Sequence, residues 1–166
     1  MGRKIVMERS LCKVKKIIAL VVASFVSFAL HAQSADKISE IISAKEASYG
    51  QAAYLAGCAR GTVKVDSAYE EALAVLKENG VVSSSVKASD SITMKELSWI
   101  CSYGWKVEGS LMMKFFNSPR YTFRQMKADE VIGISVDPMN VPNGRELLAV
   151  ITDCISKYQV KEGEDK

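Results

Sequence analysis

The sequence predicts an all-α fold made of tandem helix-loop-helix units of about 50 residues, set behind an N-terminal export signal. Three observations carry that expectation. Three segments with helix-capping chemistry recur at one spacing. Apolar residues within and between them follow helical periodicity. A basic start and an uncharged apolar run precede them all.

The leader comes first. Arg3, Lys4, Arg9, Lys13, Lys15 and Lys16 face a single acid, Glu8, and Ile17–Leu30 (IIALVVASFVSFAL) then carries no charge. A charged start, a short apolar core and a small-residue exit make the secretory signal pattern. The run falls short of the roughly 20 residues a membrane-spanning helix needs. We expect a signal peptide over residues 1–32, cleaved after Ala32 or after Ser34, with a retained anchor as the alternative. No Cys stands just beyond the run, which argues against a lipid-anchored start.

Removing the leader changes the charge argument. Of 22 basic and 19 acidic residues, the leader holds 6 and 1, leaving 16 against 18 and a net charge of −2. The basic character thus belongs to the leader, and nucleic-acid binding loses its electrostatic basis. The leader also holds His31, the only histidine. Serine-histidine, cysteine-histidine and histidine-zinc chemistry are therefore excluded from the rest of the chain. Cys58, Cys101 and Cys154 remain, none in a C-x-x-C pair. They read either as buried small hydrophobes or as one disulfide with a thiol left over. The roughly 134 residues that follow the leader suit one domain with a real core.

Ser43-Ala44-Lys45-Glu46-Ala47-Ser48-Tyr49 aligns without gaps with Thr93-Met94-Lys95-Glu96-Leu97-Ser98-Trp99 and with Asn143-Gly144-Arg145-Glu146-Leu147-Leu148-Ala149. Such self-similarity is the mark of a repeat architecture. Ser43, Thr93 and Asn143 are favoured N-cap residues, and Glu46, Glu96 and Glu146 follow three positions later as in a capping box. These glutamates are therefore expected to be structural rather than catalytic acids.

Helices follow each cap. After Ser43 the inward positions are Ala47, Gly50, Gln51 and Tyr54. A second helix holds Tyr69, Ala72, Leu73 and Leu76, with Asp66 or Ser67 expected as cap and Asn79-Gly80 as stop. The third carries Leu97, Ile100, Cys101 and Gly104. A fourth starts at Ser118-Pro119, with proline at the first helical position, and runs to about Val131. Glu130 stands where Gly80 would recur, so the two exits are expected to differ. The last has Leu147, Val150, Ile151, Cys154 and Tyr158 at i, i+3, i+4, i+7 and i+11. Polar loops cover Ser83–Ser91 and Ser135–Pro142, and Val160–Lys166 reads as a charged tail.

Tyr69-Glu70-Glu71-Ala72-Leu73, Gly80-Val81-Val82 and Ile92-Thr93-Met94-Lys95-Glu96-Leu97 together resemble the S-layer homology (SLH) domain. The resemblance spans about Ser43 to Tyr158, as two fuller units and the second half of a preceding one. It implies three tandem helix-loop-helix units around a pseudo-threefold centre, and a module that binds cell-wall polysaccharide. One departure is notable. The arginine that usually follows the Thr of the SLH motif is replaced by Ala44, Met94 and Gly144. Lys45, Lys95 and Arg145 lie one position later, about 100° further round a helix. The aromatic-and-glycine loop usual between SLH helices is also missing.

Two features stand outside the repeat. Leu111, Met112, Met113, Phe115 and Phe116 crowd a linker that should be polar, and read as a partner-binding patch or as a cover for helix ends. Trp99, Tyr103 and Trp105 read as core or as a platform for sugar rings. Among Glu40, Glu46, Glu70, Glu71, Asp90 and Glu96, helical patterning gives no reason for any two to converge as a glycosidase pair. The expected protein is thus a non-enzymatic SLH-like module of residues 33–159, exported to the periplasm, envelope or exterior. Its expected ligand is an envelope protein partner. The alternatives are a cell-wall glycan anchor, and a cell-wall hydrolase or its accessory subunit. No cofactor, metal or nucleic acid is expected.

Overall fold

A computed structural model describes residues 35–107 and 118–159. The expected leader, residues 1–32, the Leu111–Phe116 segment and the tail lie outside the described residues. The chain divides into two compact units at Ile38 and Ser39; the architecture below is that of the second. Among the described residues every regular element is a helix, and the one strand-like contact is an isolated bridge between Ser48 and Ser91. The fold is all-α.

Residues 35–43 are helical (α1). α2 (Tyr49–Ala59), α3 (Tyr69–Glu78), α4 (Met94–Trp105), α5 (Pro119–Ala128) and α6 (Gly144–Cys154) follow, the last running into a π-helical turn, Ile155–Gln159. α2, α4 and α6 touch one another pairwise, while α3 packs on α2 and α5 on α4.

Local chemistry sets the starts of the inner three helices. At α4 the Glu96 N–H donates to Thr93 Oγ1 at 3.4 Å, and the Thr93 N–H donates to Glu96 Oε2 at 3.0 Å. At α6 Asn143 Oδ1 accepts from the N–H groups of Arg145 and Glu146, both at 3.0 Å, and the Asn143 N–H donates to Glu146 Oε2 at 2.8 Å. These are capping boxes, each offsetting two donors the helix cannot satisfy itself.

The first unit departs from the expected register. Ser43 is the last residue of α1, and its hydroxyl donates to the Glu40 carbonyl at 2.8 Å. Glu46 accepts from the Ser91 hydroxyl. The capping box of α2 is Ser48–Gln51, five residues later. Gln reaches back as well as Glu does, and the preceding helix already occupies Ser43. α3 also differs from expectation. Its N-cap is Ala68, not Asp66 or Ser67, and only the returning half of a box forms, with the Ala68 N–H donating to Glu71 Oε2.

The exits of α3 and α5 coincide in geometry, contrary to the sequence expectation. Gly80 has φ 69° and Glu130 has φ 63°. The N–H of Val81 donates to the Leu76 carbonyl at 2.9 Å, and that of Val131 to Met126 at 3.0 Å. Lys77 Nζ donates to the Ser84 carbonyl and Lys127 Nζ to that of Ile134, so each loop is tied back to its helix. Glu130 accepts a left-handed backbone because its surroundings impose the turn, not because its residue type favours it.

The inner helices interlock through their starts. Tyr49 and Gly50 donate their N–H groups to the carbonyls of Asp90 and Ala88, at 3.0 and 2.9 Å. Met94 and Lys95 donate theirs to Asn140 and Pro138, at 2.8 and 3.0 Å. Gly144 donates to Ala44 at 3.0 Å. Each orphan set of helix donors is thus met by a loop from elsewhere in the chain. The residues before the three caps, Ala47, Ile92 and Pro142, are buried side by side: Ala47 N–H donates to the Pro142 carbonyl, and Ile92 N–H to that of Ala47. Leu97, Ile100, Leu147, Val150 and Ile151 extend this core along the helices.

Candidate functional site

The helix starts are closed by these bonds, whereas the helix ends leave a cleft. Its volume is about 640 Å³, and it is lined along α2, α3 and α4. The C-cap residues of those helices, Arg60, Asn79 and Lys106, all line it. Three helix ends therefore border one space, at the negative ends of their dipoles. Arg60 and Lys106 offset that charge and add N–H donors. Among the described residues that line the cleft there is no carboxylate.

Two aromatic side chains form part of the wall. Trp99 is half-buried, and its indole N–H donates to the Val81 carbonyl at 3.0 Å, which fixes the ring. Tyr103 follows one turn later on the same helix and is 47 % exposed. Trp105, the third aromatic residue considered from sequence, is 3 % exposed and lies in the core. Lys106 caps α4 with φ 47°, a left-handed exit that a non-glycine residue adopts at some cost. The cleft thus combines a fixed aromatic ring, an exposed phenol, two cations, an amide and the ends of three helices.

The residues singled out from sequence separate into three groups. Thr93, Glu96, Asn143 and Glu146 sit at helix starts, away from the cleft lining. Ser43 and Glu46 cap nothing, as described above. The partner-patch residues Leu111, Met112, Met113, Phe115 and Phe116 lie outside the described residues. Large apolar side chains are nevertheless exposed elsewhere, Ile134 at 84 % and Met139 at 61 %, both in the loop before α6.

As cleft residues Arg60, Asn79 and Lys106 are not singled out by the sequence, which marks Asn79 only as a helix stop. The available signal was positional: a basic residue stands at the end of both α2 and α4, where it complements the helix dipole. That signal alone says nothing of a shared cleft. The residues that follow the three observed caps, Tyr49, Met94 and Gly144, are all buried at the helix starts.

Glu96 shows how closed that end is. Burial pushes its carboxyl up, but hydrogen bonds from the Thr93 hydroxyl and N–H, and from the Tyr49 hydroxyl, outweigh this and hold it below the usual carboxylate value. The Tyr49 phenol is pushed well up by burial and by the same carboxylate. This pairing joins α2 to α4 and is committed to structure. Among the described residues no cluster of three or more His, Cys, Asp or Glu could hold a metal ion, and no helix is long and apolar enough to cross a membrane. Scans against protein-family models, curated proteins and solved structures returned no match for this chain.

Proposed function

We propose that this chain is an exported, non-catalytic module with SLH-like tandem helix-loop-helix repeats, and that it holds an envelope glycan in the cleft between α2, α3 and α4. The observation that carries this is the lining of the cleft. A sugar polymer offers many hydroxyl groups and apolar ring faces. Arg60 and Lys106 can donate to ring and hydroxyl oxygens, and Trp99 with Tyr103 presents aromatic surface to a ring face. The repeat reading is supported by the matched exits at Gly80 and Glu130 and by the interlocked starts of α2, α4 and α6. The glycan is preferred to a protein partner because the cleft sets N–H donors beside aromatic surface, which suits hydroxyl groups and ring faces.

A titration of intrinsic fluorescence with soluble wall polysaccharide tests the site. Trp99 in the wall should report binding, and Tyr103→Ala should weaken it about 5-fold, the scale of losing one aromatic contact of about 1 kcal/mol. Tyr103 is exposed enough that its removal leaves the fold intact. Unchanged affinity in Tyr103→Ala and in Arg60→Ala would remove the cleft from consideration.

A further inference from the structure

α3 and α5 hold equivalent places in the array. They start at residues 69 and 119, and α3 packs on α2 as α5 packs on α4. Ala72, Leu73 and Leu76 are the buried positions of one; Thr122, Phe123 and Met126 are those of the other. Their outward faces are opposite in charge. α3 exposes Glu70, Glu71 and Glu78, with Ala74 among them, whereas α5 exposes Arg120, Arg124 and Ala128. Lys77 and Lys127 are common to both helices, each tied to a loop carbonyl. The difference is thus confined to exposed positions, where packing imposes no charge. Each helix also has an exposed apolar residue near one end. Val65, before α3, is 51 % exposed, and Ile134, after α5, is 84 % exposed. Ser84 holds the position equivalent to Ile134 and offers its carbonyl to Lys77 in the same way, so the turn itself does not require an apolar side chain there.

We infer that the basic face of α5 in one molecule docks on the acidic face of α3 in a second copy of the chain, with the two helices antiparallel. That direction sets Glu78 toward Arg120, Glu70 toward Arg124, and Val65 toward Ile134. It also brings the positive end of each helix dipole to the negative end of the other. A parallel docking would leave Val65 and Ile134 at opposite ends, each without apolar cover. The charges beside those two residues are mixed on both sides. Lys64 and Asp66 flank Val65, and Lys127 and Glu130 precede Ile134, so each side has a partner for the other. Ala74 and Ala128 are small enough to let the helices approach.

The two surfaces differ, so the contact is heterologous and each added copy presents a fresh α3 or α5 face. Exposed ion pairs are individually weak and screened by salt. The association is therefore weak in dilute solution and sensitive to ionic strength. The cleft takes Val75, Leu76 and Asn79 from α3, a different set of residues, so the docking does not depend on the glycan reading.

The test is sedimentation velocity of the full chain at ionic strengths of about 0.01 M and about 1 M, between which the screening length falls from about 30 Å to about 3 Å. The weight-average sedimentation coefficient should rise with protein concentration at low salt and stay flat at high salt. Two double variants carry the decision. Arg120→Glu with Arg124→Glu makes both faces acidic, and Glu70→Lys with Glu78→Lys makes both basic. Glu71 is left unchanged because it accepts the Ala68 N–H at the start of α3. All four substituted positions are exposed, so each variant should keep the parent's circular dichroism. Each alone should lose the low-salt association, and an equimolar mixture of the two should regain it. A parent chain that is monomeric at both ionic strengths, association that persists in either variant alone, or a mixture of folded variants that stays monomeric would overturn the docking.

Discussion

Glu130 adopts φ 63° at the same turn where Gly80 adopts φ 69°, and it is exposed. A left-handed backbone costs a non-glycine residue about 1–2 kcal/mol, part of which glycine returns as lost chain entropy. Glu130→Gly should therefore stabilise the protein by about 1 kcal/mol, seen as a higher urea midpoint with an unchanged slope. A lower midpoint would mean that the side chain contributes more than the turn costs.

Glu96 gives a prediction in pH. Its carboxyl is held below the usual value in the folded state, so its stabilising contribution is complete above the unfolded value of about 4.3 and fades as pH falls through the folded one. Glu96→Gln keeps the shape but removes the charge. Urea midpoints followed from neutral pH into this acid range should fall less steeply for the variant than for the parent. Parallel slopes would show that other carboxylates dominate acid unfolding.

Among the elements, the junction between α6 and the end of α1 is the tightest. A Cβ added at Gly144 would lie 1.5 Å from the Ile41 carbonyl oxygen and 3.4 Å from Ala44 Cβ. The first obstacle is backbone, which cannot turn aside as a side chain can. Gly144→Ala should cost on the order of 3 kcal/mol through overpacking, even though alanine is the better helix former. Hydrogen exchange should show the loss concentrated in α6 and the end of α1. A neutral outcome would mean that the ring of helix starts is loose there.

This element scale also shows what could be read from sequence. The capping boxes of α4 and α6 span three residues, so Thr93-Glu96 and Asn143-Glu146 announce themselves locally. The same pattern at Ser43-Glu46 misleads, because the match is local while the preceding helix, which already holds Ser43, is not visible in it. The exit at Glu130 was misjudged for a related reason. Residue type predicts what a position prefers, and here packing on both sides of the turn overrules preference. The cleft was the least legible part. Arg60, Asn79 and Lys106 become neighbours only when three helix ends meet, and no short-range pattern encodes that meeting.

At the scale of the whole molecule, the two ends of the helical array differ in kind. The starts of α2, α4 and α6 spend their donors on loops from elsewhere in the chain, with Ala47, Ile92 and Pro142 buried among them. That end offers a ligand little. Among the described residues, the ends of α2, α3 and α4 border the cleft, with Arg60, Lys106, Trp99 and Tyr103 on its walls. The proposed function places binding at the cleft end. The central claim is that this end binds envelope glycan. The measurement that tests it most directly is co-sedimentation of the purified protein with isolated bacterial cell-wall sacculi, before and after chemical removal of their attached polysaccharide. The account predicts binding that disappears with the polysaccharide and is weakened by Tyr103→Ala. Equal binding to stripped and intact sacculi, or none to either, would contradict it.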